Sequence, residues 1–269
     1  STLLASSAAS DVYKRQRYDG FRFRDYPLIM GIDSLSTPLH QAVKKLCEGP
    51  DGLYYALLFQ GGITCFDKDI EKFLPVRFNK PLELKDILDF CWNDGSLYLV
   101  TSQGLFESRI VRKTEGKHDF VLCLLNPEPL VRGKVAHLCS DGKTNLYFSV
   151  NQRKVVHYDL VAKKTSLIKE YSVVNRLFLR HGYLWICRLW DDIICYDLKT
   201  NEERVISMEG KDQSEFFNSY VTDLVLKDNR TFYLTTWNGL YKLRFDNDNL
   251  CKSPFVLTLL TKNEKASVS

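Results

Sequence analysis

Eight cysteines and five histidines are the residues of this sequence with the most versatile chemistry, because they can form disulfides, bind metals or act in catalysis. No Cys-x-x-Cys motif or Cys/His pair has the spacing of a zinc site. Cys47 and Cys139 share one position of the repeat described below, and Cys65 and Cys195 share another. We therefore expect thiols that pack as small apolar residues, with no metal site and no cofactor. A disulfide between remote cysteines in an oxidising compartment is the alternative.

The histidines and acidic residues lack the motifs of a catalytic site. There is no His-Glu-x-x-His motif and no Gly-rich phosphate loop between a strand and a helix. The Asp191-Asp192 pair could supply an acid and a base, but adjacent turn residues should point in different directions, which favours a solvated turn. We expect no catalytic activity from this chain. The histidines are His40, His118, His137, His157 and His181.

Composition places the chain among globular proteins. Its 269 residues are 45% hydrophobic and 13% aromatic, which is enough to bury a substantial core. The net charge of +4 is scattered along the sequence, which argues against a nucleic-acid partner. No apolar run reaches the roughly 18 residues of a membrane helix.

A repeat organises the sequence. The segments "LYYALLFQGGITCFD", "LYLVTSQGLFESRI", "LYFSVNQRKVVHYDL", "LWICRLWDDIICYDL" and "TFYLTTWNGLYKLRFD" each place an aromatic residue six positions before a turn. Successive aromatics lie 43, 49, 38 and 48 residues apart. A turn pair such as Asp51-Gly52 precedes each aromatic, and an apolar residue lies eight positions before it. The aromatics are Tyr55, Tyr98, Tyr147, Trp185 and Tyr233. The apolar residues are Cys47, Phe90, Cys139, Leu177 and Val225.

This pattern predicts an all-β fold. Strand, turn, strand, turn, strand and a variable fourth segment, repeated every 40–45 residues, are typical of the four-stranded blade of a β-propeller. The aromatics should pack between neighbouring blades, and Asn238-Gly239 should form a tight type I′ turn. We expect five full blades, with partial blades at both ends of a truncated ring. The blades are expected at about residues 42–85, 86–134, 135–172, 173–220 and 221–265.

The blades resemble the two-component regulator propeller repeat, with the pattern D-x-G-x-L-W-x-x-T-x-x-G-L-x-x-Y-D. The best matches are "NDGSLYLVTSQGLFE" and "DNRTFYLTTWNGLYKLRFD", and "RYDGFRFRDYP" (17–27) resembles the close of that family's opening blade. The turns at Gln152 and Asp191 lack the family's glycine. The resemblance implies the periplasmic sensor half of a Bacteroidetes-type hybrid histidine kinase. A homodimer, and a membrane helix and kinase downstream of this chain, are also implied.

The turns between second and third strands form the candidate ligand site. In a propeller they share one face with the connections between blades, and two long connections, "LNPEPLVRG" and "MEGKDQSEFFNSY", add residues there. Aromatic faces can stack on sugar rings while amides and carboxylates bind hydroxyls, which suits a carbohydrate. The resemblance implies an oligosaccharide whose binding controls glycan-utilisation genes. The candidate residues are Phe59, Gln60, Gln103, Gln152, Trp190, Asp191, Trp237 and Asn238.

Two other functions stay open. A propeller lyase or lactonase is favoured if His137, His157 or His181 converges with carboxylates. A protein-interaction scaffold is favoured if the turn face is flat. Residues 1–16 end in "DVYKRQ", which resembles the translation of a sequencing adapter, so we expect a non-native leader, with a natural disordered terminus as the alternative.

Overall fold

The computed structural model describes residues 16–18, 23–25, 43–58, 62–67, 70–78, 87–112, 120–189, 191–207 and 220–262. Strands and turns account for these residues, and five four-stranded sheets follow one another along the chain as the blades of a β-propeller. The predicted fold class is confirmed. Within the described ranges there is no helix with the length and apolar character needed to cross a membrane.

Each blade is an antiparallel meander of four strands. Blade 1 comprises β3 (Val43–Glu48), β4 (Tyr54–Leu58), β5 (Ile63–Asp67) and β6 (Lys72–Phe78). Blade 2 comprises β7 (Ile87–Asn93), β8 (Ser96–Thr101), β9 (Gly104–Arg112) and β10 (Phe120–Leu124). Blade 3 comprises β12 (Val135–Ser140), β13 (Asn145–Val150), β14 (Lys154–Asp159) and β15 (Lys164–Glu170). Blade 4 comprises β16 (Val174–Arg180), β17 (Tyr183–Arg188), β18 (Ile193–Asp197) and β19 (Glu203–Ile206). Blade 5 comprises β20 (Val221–Asp228), β21 (Thr231–Thr236), β22 (Gly239–Phe245) and β23 (Phe255–Lys262).

Three short strands lie outside this scheme. β1 (Gln16–Tyr18) and β2 (Phe23–Asp25) pair with each other antiparallel, and apart from Gln16 they lie in the segment 17–27 that resembles the end of the family's opening blade. β11 (Val131–Arg132) pairs with the start of β9. Residues 1–15 of the expected leader lie outside the described residues.

The outer strands of blades 1 and 2 pair in parallel. In this pairing Phe120 of β10 lies opposite Val76 of β6, and both side chains are buried. A free outer strand would present unpaired N–H and C=O groups, so this contact protects two sheet edges at once. The sequence did not predict it, because the fourth segment is the variable part of the repeat.

The chain divides into two compact units, residues 1–146 with 158–165 and residues 147–157 with 166–269. In the first unit, Tyr55 lies 5.2 Å from Trp92 of blade 2, centroid to centroid, within a buried cluster that blades 1 and 2 share. In the second unit, Trp185 lies 4.7 Å from Phe232 of blade 5. The prediction that the repeated aromatics pack between blades is thus confirmed at Tyr55 and Trp185.

Tyr233 is the exception to this burial. Side chains alternate between the two faces of a strand, and Phe232 beside it takes the face towards blade 4 with full burial. Tyr233 is therefore on the opposite face of blade 5 and only half-buried.

The residue opposite the repeated aromatic differs in its spacing between blades. Cys47 lies opposite Tyr55 at a spacing of eight residues, but Cys91 rather than Phe90 lies opposite Tyr98. Likewise, Phe178 rather than Leu177 lies opposite Trp185. The hairpins of blades 2 and 4 are one residue shorter, so a fixed spacing selected the neighbouring residue on the other face.

The predicted hairpin at Asn238 is confirmed, but its predicted turn type is wrong. A type I′ turn needs positive φ at both central residues, and here positive φ occurs at Gly239 (+154°) and not at Asn238. Trp237 and Asn238 form the loop, and the Thr236 hydroxyl accepts hydrogen bonds from the N–H groups of Asn238 and Gly239. Paired positive φ values occur instead at Asp94-Gly95 and His181-Gly182.

Gly239, in the hairpin turn of blade 5, has no room for a side chain. A Cβ there would lie 2.0 Å from the Thr261 carbonyl oxygen, in addition to the cost of its φ. We expect Gly239→Ala to lower the free energy of unfolding by about 2–3 kcal/mol, measured by urea denaturation. Gly182→Ala is the matched control, since its φ is +79° but a Cβ would meet no atom within 4 Å. It should cost about 1 kcal/mol, and equal costs for the two would contradict the steric argument.

Candidate functional site

Within each unit, the second-to-third turns that the structure describes lie against connections between blades. The Gln103 carbonyl accepts a hydrogen bond from Gly133 N at 3.1 Å. The Gln152 carbonyl accepts one from Val174 N at 2.7 Å, and Trp237 N donates one at 3.2 Å to a residue of the preceding connection, Tyr220. These backbone bonds hold the turns in place, and the side chains of Gln103, Gln152 and Trp237 are exposed.

The turn of blade 2 presents Gln103 as an exposed side chain. The hydroxyl of buried Thr101 accepts the Gln103 N–H at 3.1 Å, which fixes the turn. The long segment 125–133 follows β10 and includes β11. Because β10 and β11 both pair with β9, the residues between them form a break in the outer strand of blade 2. The backbone of this segment contacts the turn so closely that a Cβ at Gly104 would lie 2.0 Å from the Val131 carbonyl oxygen.

In the second unit, one short connection contacts the turns of both blade 3 and blade 4. Gln152 is exposed in the left-handed conformation (φ 56°), and its carbonyl binds Val174 as described above. Two residues earlier, the Ser172 hydroxyl donates a hydrogen bond of 3.0 Å to Asp191 Oδ2. Gln152 and Asp191 are thus bound to the same segment, and the structure brings them together.

The structure differs from the prediction of a solvated turn at Asp191-Asp192 with diverging carboxylates. Both carboxylates approach the Arg188 guanidinium, Asp191 at 2.6 Å and Asp192 at 3.9 Å. Burial, and then the charge of Asp191, raise the pKa of Asp192, while the nearby Arg188 acts in the opposite direction. Since Asp191 also accepts bonds from Ser172 and the Asp192 N–H, it is better suited to holding the turn than to binding a ligand.

The turn of blade 5 presents a large, exposed aromatic side chain. Trp237 is 55% exposed, and its ring stacks on Tyr220 with centroids 4.9 Å apart and planes 21° from parallel. Tyr220 is the last residue of the second long connection. Asn238 follows Trp237 in the same loop and is half-buried. The loop therefore combines an exposed, supported aromatic surface with an adjacent amide.

The structure describes five of the eight candidate residues. Phe59, Gln60 and Trp190 lie outside the described residues. Sequence reasoning missed two residues of this face, Arg188 and Tyr220. The charge spacing of Arg188 to Asp191 was a usable signal for the ion pair, whereas the contact of Tyr220 with Trp237 leaves no local pattern in the sequence.

The structure gives two of the histidines ordinary structural roles. His157 stacks on Tyr147 with centroids 5.2 Å apart, and its Nδ1 lies 3.2 Å from the Ser166 hydroxyl. His181 occupies a turn in the left-handed conformation (φ 51°). His40 and His118 lie outside the described residues. Among the residues that the structure describes, no group of three or more His, Cys, Asp or Glu side chains could hold a metal ion.

The cysteines are all reduced in this structure. Four are buried, as expected for thiols packed as apolar residues, and the other four are half-buried. The buried ones are Cys65, Cys91, Cys187 and Cys195.

The five four-stranded blades define an all-β propeller. No family model and no curated protein matches the sequence. Among solved structures, the chain is similar to the extracellular domain of BT4673 from B. thetaiotaomicron. That domain is assigned to a hybrid two-component system in one structure (TM-score 0.62, 13% identity) and to a one-component system in another (TM-score 0.63, 14% identity).

These matches cover 90% and 88% of this chain and 32% of the BT4673 chain, so this chain spans about a third of that domain. The chain is also similar to an auxiliary nutrient binding protein from Bacteroides thetaiotaomicron (TM-score 0.52, 15% identity), covering 81% of this chain and 56% of that one. At these identities the similarity establishes the fold. It agrees with the resemblance to the propeller repeats of two-component regulators.

Proposed function

We propose that this propeller is the extracytoplasmic ligand-sensing region of a two-component receptor and that it detects an oligosaccharide. The likeness to extracellular domains of such systems supports a sensing role in that location. The observation that carries the choice of ligand is the exposed Trp237, stacked on Tyr220 beside Asn238.

The geometry of Trp237 suits a sugar ring. Tyr220 fixes the plane of the indole, so little side-chain entropy remains to be lost when a ligand stacks on its exposed part. The C–H face of a pyranose can cover the exposed part of the indole, and an amide, the side chain of Asn238, lies in the same loop. Gln103 and Gln152 supply further exposed amides on the turns of their own units.

Trp237→Ala is expected to weaken oligosaccharide binding by about tenfold or more, because the stacking surface is removed. Affinity is measured by isothermal titration calorimetry, with an oligosaccharide selected from a glycan array probed with the unmodified chain. Val256→Ala, which truncates another exposed apolar residue of blade 5, serves as the matched control and should bind normally. Equal affinity of the Trp237 variant and the unmodified chain would contradict the assigned site, and an array without any binding would contradict the ligand class.

In the intact receptor, ligand binding would regulate a kinase across the membrane. The ligand can shift a dimeric equilibrium only by as much as its affinities for the two states differ. A homodimer, a membrane helix and a histidine kinase are therefore part of this proposal. Sequencing the source DNA beyond both ends of this gene tests it: a downstream membrane helix and kinase would support it, and an early stop codon with neither would contradict it.

A further inference from the structure

Two cysteines from neighbouring blades meet in the second unit. Cys195 is in the middle of β18 in blade 4 and is fully buried, and Cys251 is in the turn between β22 and β23 of blade 5 and is half-buried. They are 56 residues apart in sequence, yet Cys251 Sγ lies 3.5 Å from the Cys195 carbonyl oxygen. The Cys251 side chain also packs against the buried cluster that contains Cys195.

The repeat does not account for this contact. Cys65 occupies the position of Cys195 in blade 1, opposite the repeated aromatic, and its thiol interacts with Tyr55. Cys251 comes from a third-to-fourth turn, a part of the blade where the sequence pattern is not repeated. The pairing is therefore particular to blades 4 and 5.

We propose that Cys195 and Cys251 form a dithiol that closes to a disulfide and covalently joins blade 4 to blade 5. The oxidant is a disulfide of the glutathione class. The Cys251 thiolate attacks one sulfur of the oxidant, forming a mixed disulfide and releasing one thiolate. Cys195 then loses its proton and attacks the Cys251 sulfur, which releases the second thiolate. Two protein thiols are thus oxidised and one oxidant disulfide is reduced to two thiols.

The surroundings of the two sulfurs suit this order of events. The neighbouring Cys195 side chain lowers the pKa of Cys251, which favours its thiolate, and the neighbouring Cys251 side chain, together with burial, raises the pKa of Cys195. The partly accessible thiol is thus the one that ionises more easily, as in other reactive cysteine pairs. Burial shields Cys195 from the oxidant but not from Cys251.

The disulfide would leave the proposed ligand face open. In a meander, third-to-fourth turns lie at the opposite end of the blade from second-to-third turns, so Cys251 and Trp237 are at opposite ends of blade 5. The inference is therefore independent of the sensing proposal. An extracytoplasmic location would place the pair in an oxidising compartment.

Peptide mapping tests the proposal on the purified chain. The reduced protein is incubated with oxidised glutathione, and its remaining thiols are alkylated before trypsin digestion without reductant. Cleavage after Arg188 and Arg244 separates Cys195 in "LWDDIICYDLK" (189–199) from Cys187, and places Cys251 in "FDNDNLCK" (245–252). Mass spectrometry should detect these two peptides linked, and the link should disappear on reduction.

Two variants make the outcome decisive. Cys251→Ser should abolish the link, whereas Cys123→Ser, which changes another half-buried thiol, should retain it. Oxidation should also raise the Tm of the unmodified chain by about 5–10 °C, because the bond closes a long loop of the unfolded chain, and should not raise that of Cys251→Ser. Alkylation of both thiols, glutathione retained on Cys251, or a link from Cys251 to another cysteine would overturn the proposal.

Discussion

Asp89→Ala is expected to lower the free energy of unfolding by about 3–5 kcal/mol, a large share of the stability of a typical domain. Asp89 is 5% exposed and binds groups from three blades. One carboxylate oxygen accepts hydrogen bonds from Lys45 Nζ of blade 1 and from the Phe90 N–H of its own strand, both at 2.8 Å. The other accepts the Leu138 N–H of blade 3 at 2.8 Å. Alanine would leave a half-buried ammonium without its carboxylate, and two N–H groups without an acceptor.

A double-mutant cycle distinguishes the ion pair from general damage to the core. Lys45→Met and Asp89→Leu together should recover much of the stability that Asp89→Leu alone loses, because no charge is then left without its partner. Asp223→Ala in blade 5 is a matched control: Asp223 also accepts the next N–H of its strand, but it is only half-buried. It should cost about 1 kcal/mol. A loss below 1 kcal/mol for Asp89→Ala in urea denaturation would contradict the role assigned to the pair.

The ion pair also has a defined pH dependence. Burial is the largest single effect and lowers the pKa of Lys45, but the charge and hydrogen bond of Asp89 and the charges of Cys47 and Cys91 together outweigh it and raise the pKa of the ammonium. A group with a raised pKa in the folded state contributes its full stabilisation below its unfolded pKa, about 10.4 for lysine. The contribution of the pair should thus be constant through neutral pH and decline above that value.

The position of Asp89 explains why the sequence did not reveal it. The first strands of blades 1, 2, 4 and 5 carry a register shift near their start, which the regular two-residue alternation of a strand does not predict. In each first strand, an ionisable residue lies two positions after a Val or Ile. These residues are Lys45, Asp89, His137, Arg176 and Asp223. Alignment of the repeats on their aromatics did not detect this position, because the following hairpins differ in length.

What the sequence could predict depended on how local the responsible interactions are. Alternating apolar residues and turn pairs, which are Asp-Gly in blades 1, 2 and 3, define each blade within a few tens of residues, so the fold was predictable. The parallel pairing of β6 with β10, and the contact of Tyr220 with Trp237, join segments without a shared pattern. The type of the Trp237 turn depends on the Thr236 hydroxyl, which propensities for Asn-Gly pairs do not include.

Trp185→Ala is the second change expected to have a large effect, again about 3–5 kcal/mol, because a fully buried aromatic is replaced by a cavity. The indole lies within the cluster that blades 4 and 5 share, 4.7 Å from the ring of Phe232 and 6.2 Å from that of Phe245. Both contacts lie across the blade boundary, so the cavity would open where two sheets depend on each other for burial.

Two variants separate this cavity effect from the loss of a tryptophan as such. Trp185→Phe keeps most of the apolar contact and removes an indole N–H that is buried without a hydrogen-bond partner in the described structure, so it should cost about 1–2 kcal/mol. Trp237→Ala removes the same side chain from an exposed turn of blade 5 and should cost less than about 1 kcal/mol. Urea denaturation followed by circular dichroism avoids any dependence on tryptophan fluorescence. If Trp185→Ala and Trp237→Ala were equally stable, Trp185 would not be a main contact between blades 4 and 5, and the blade boundary would have to be held by Phe232 and its other neighbours.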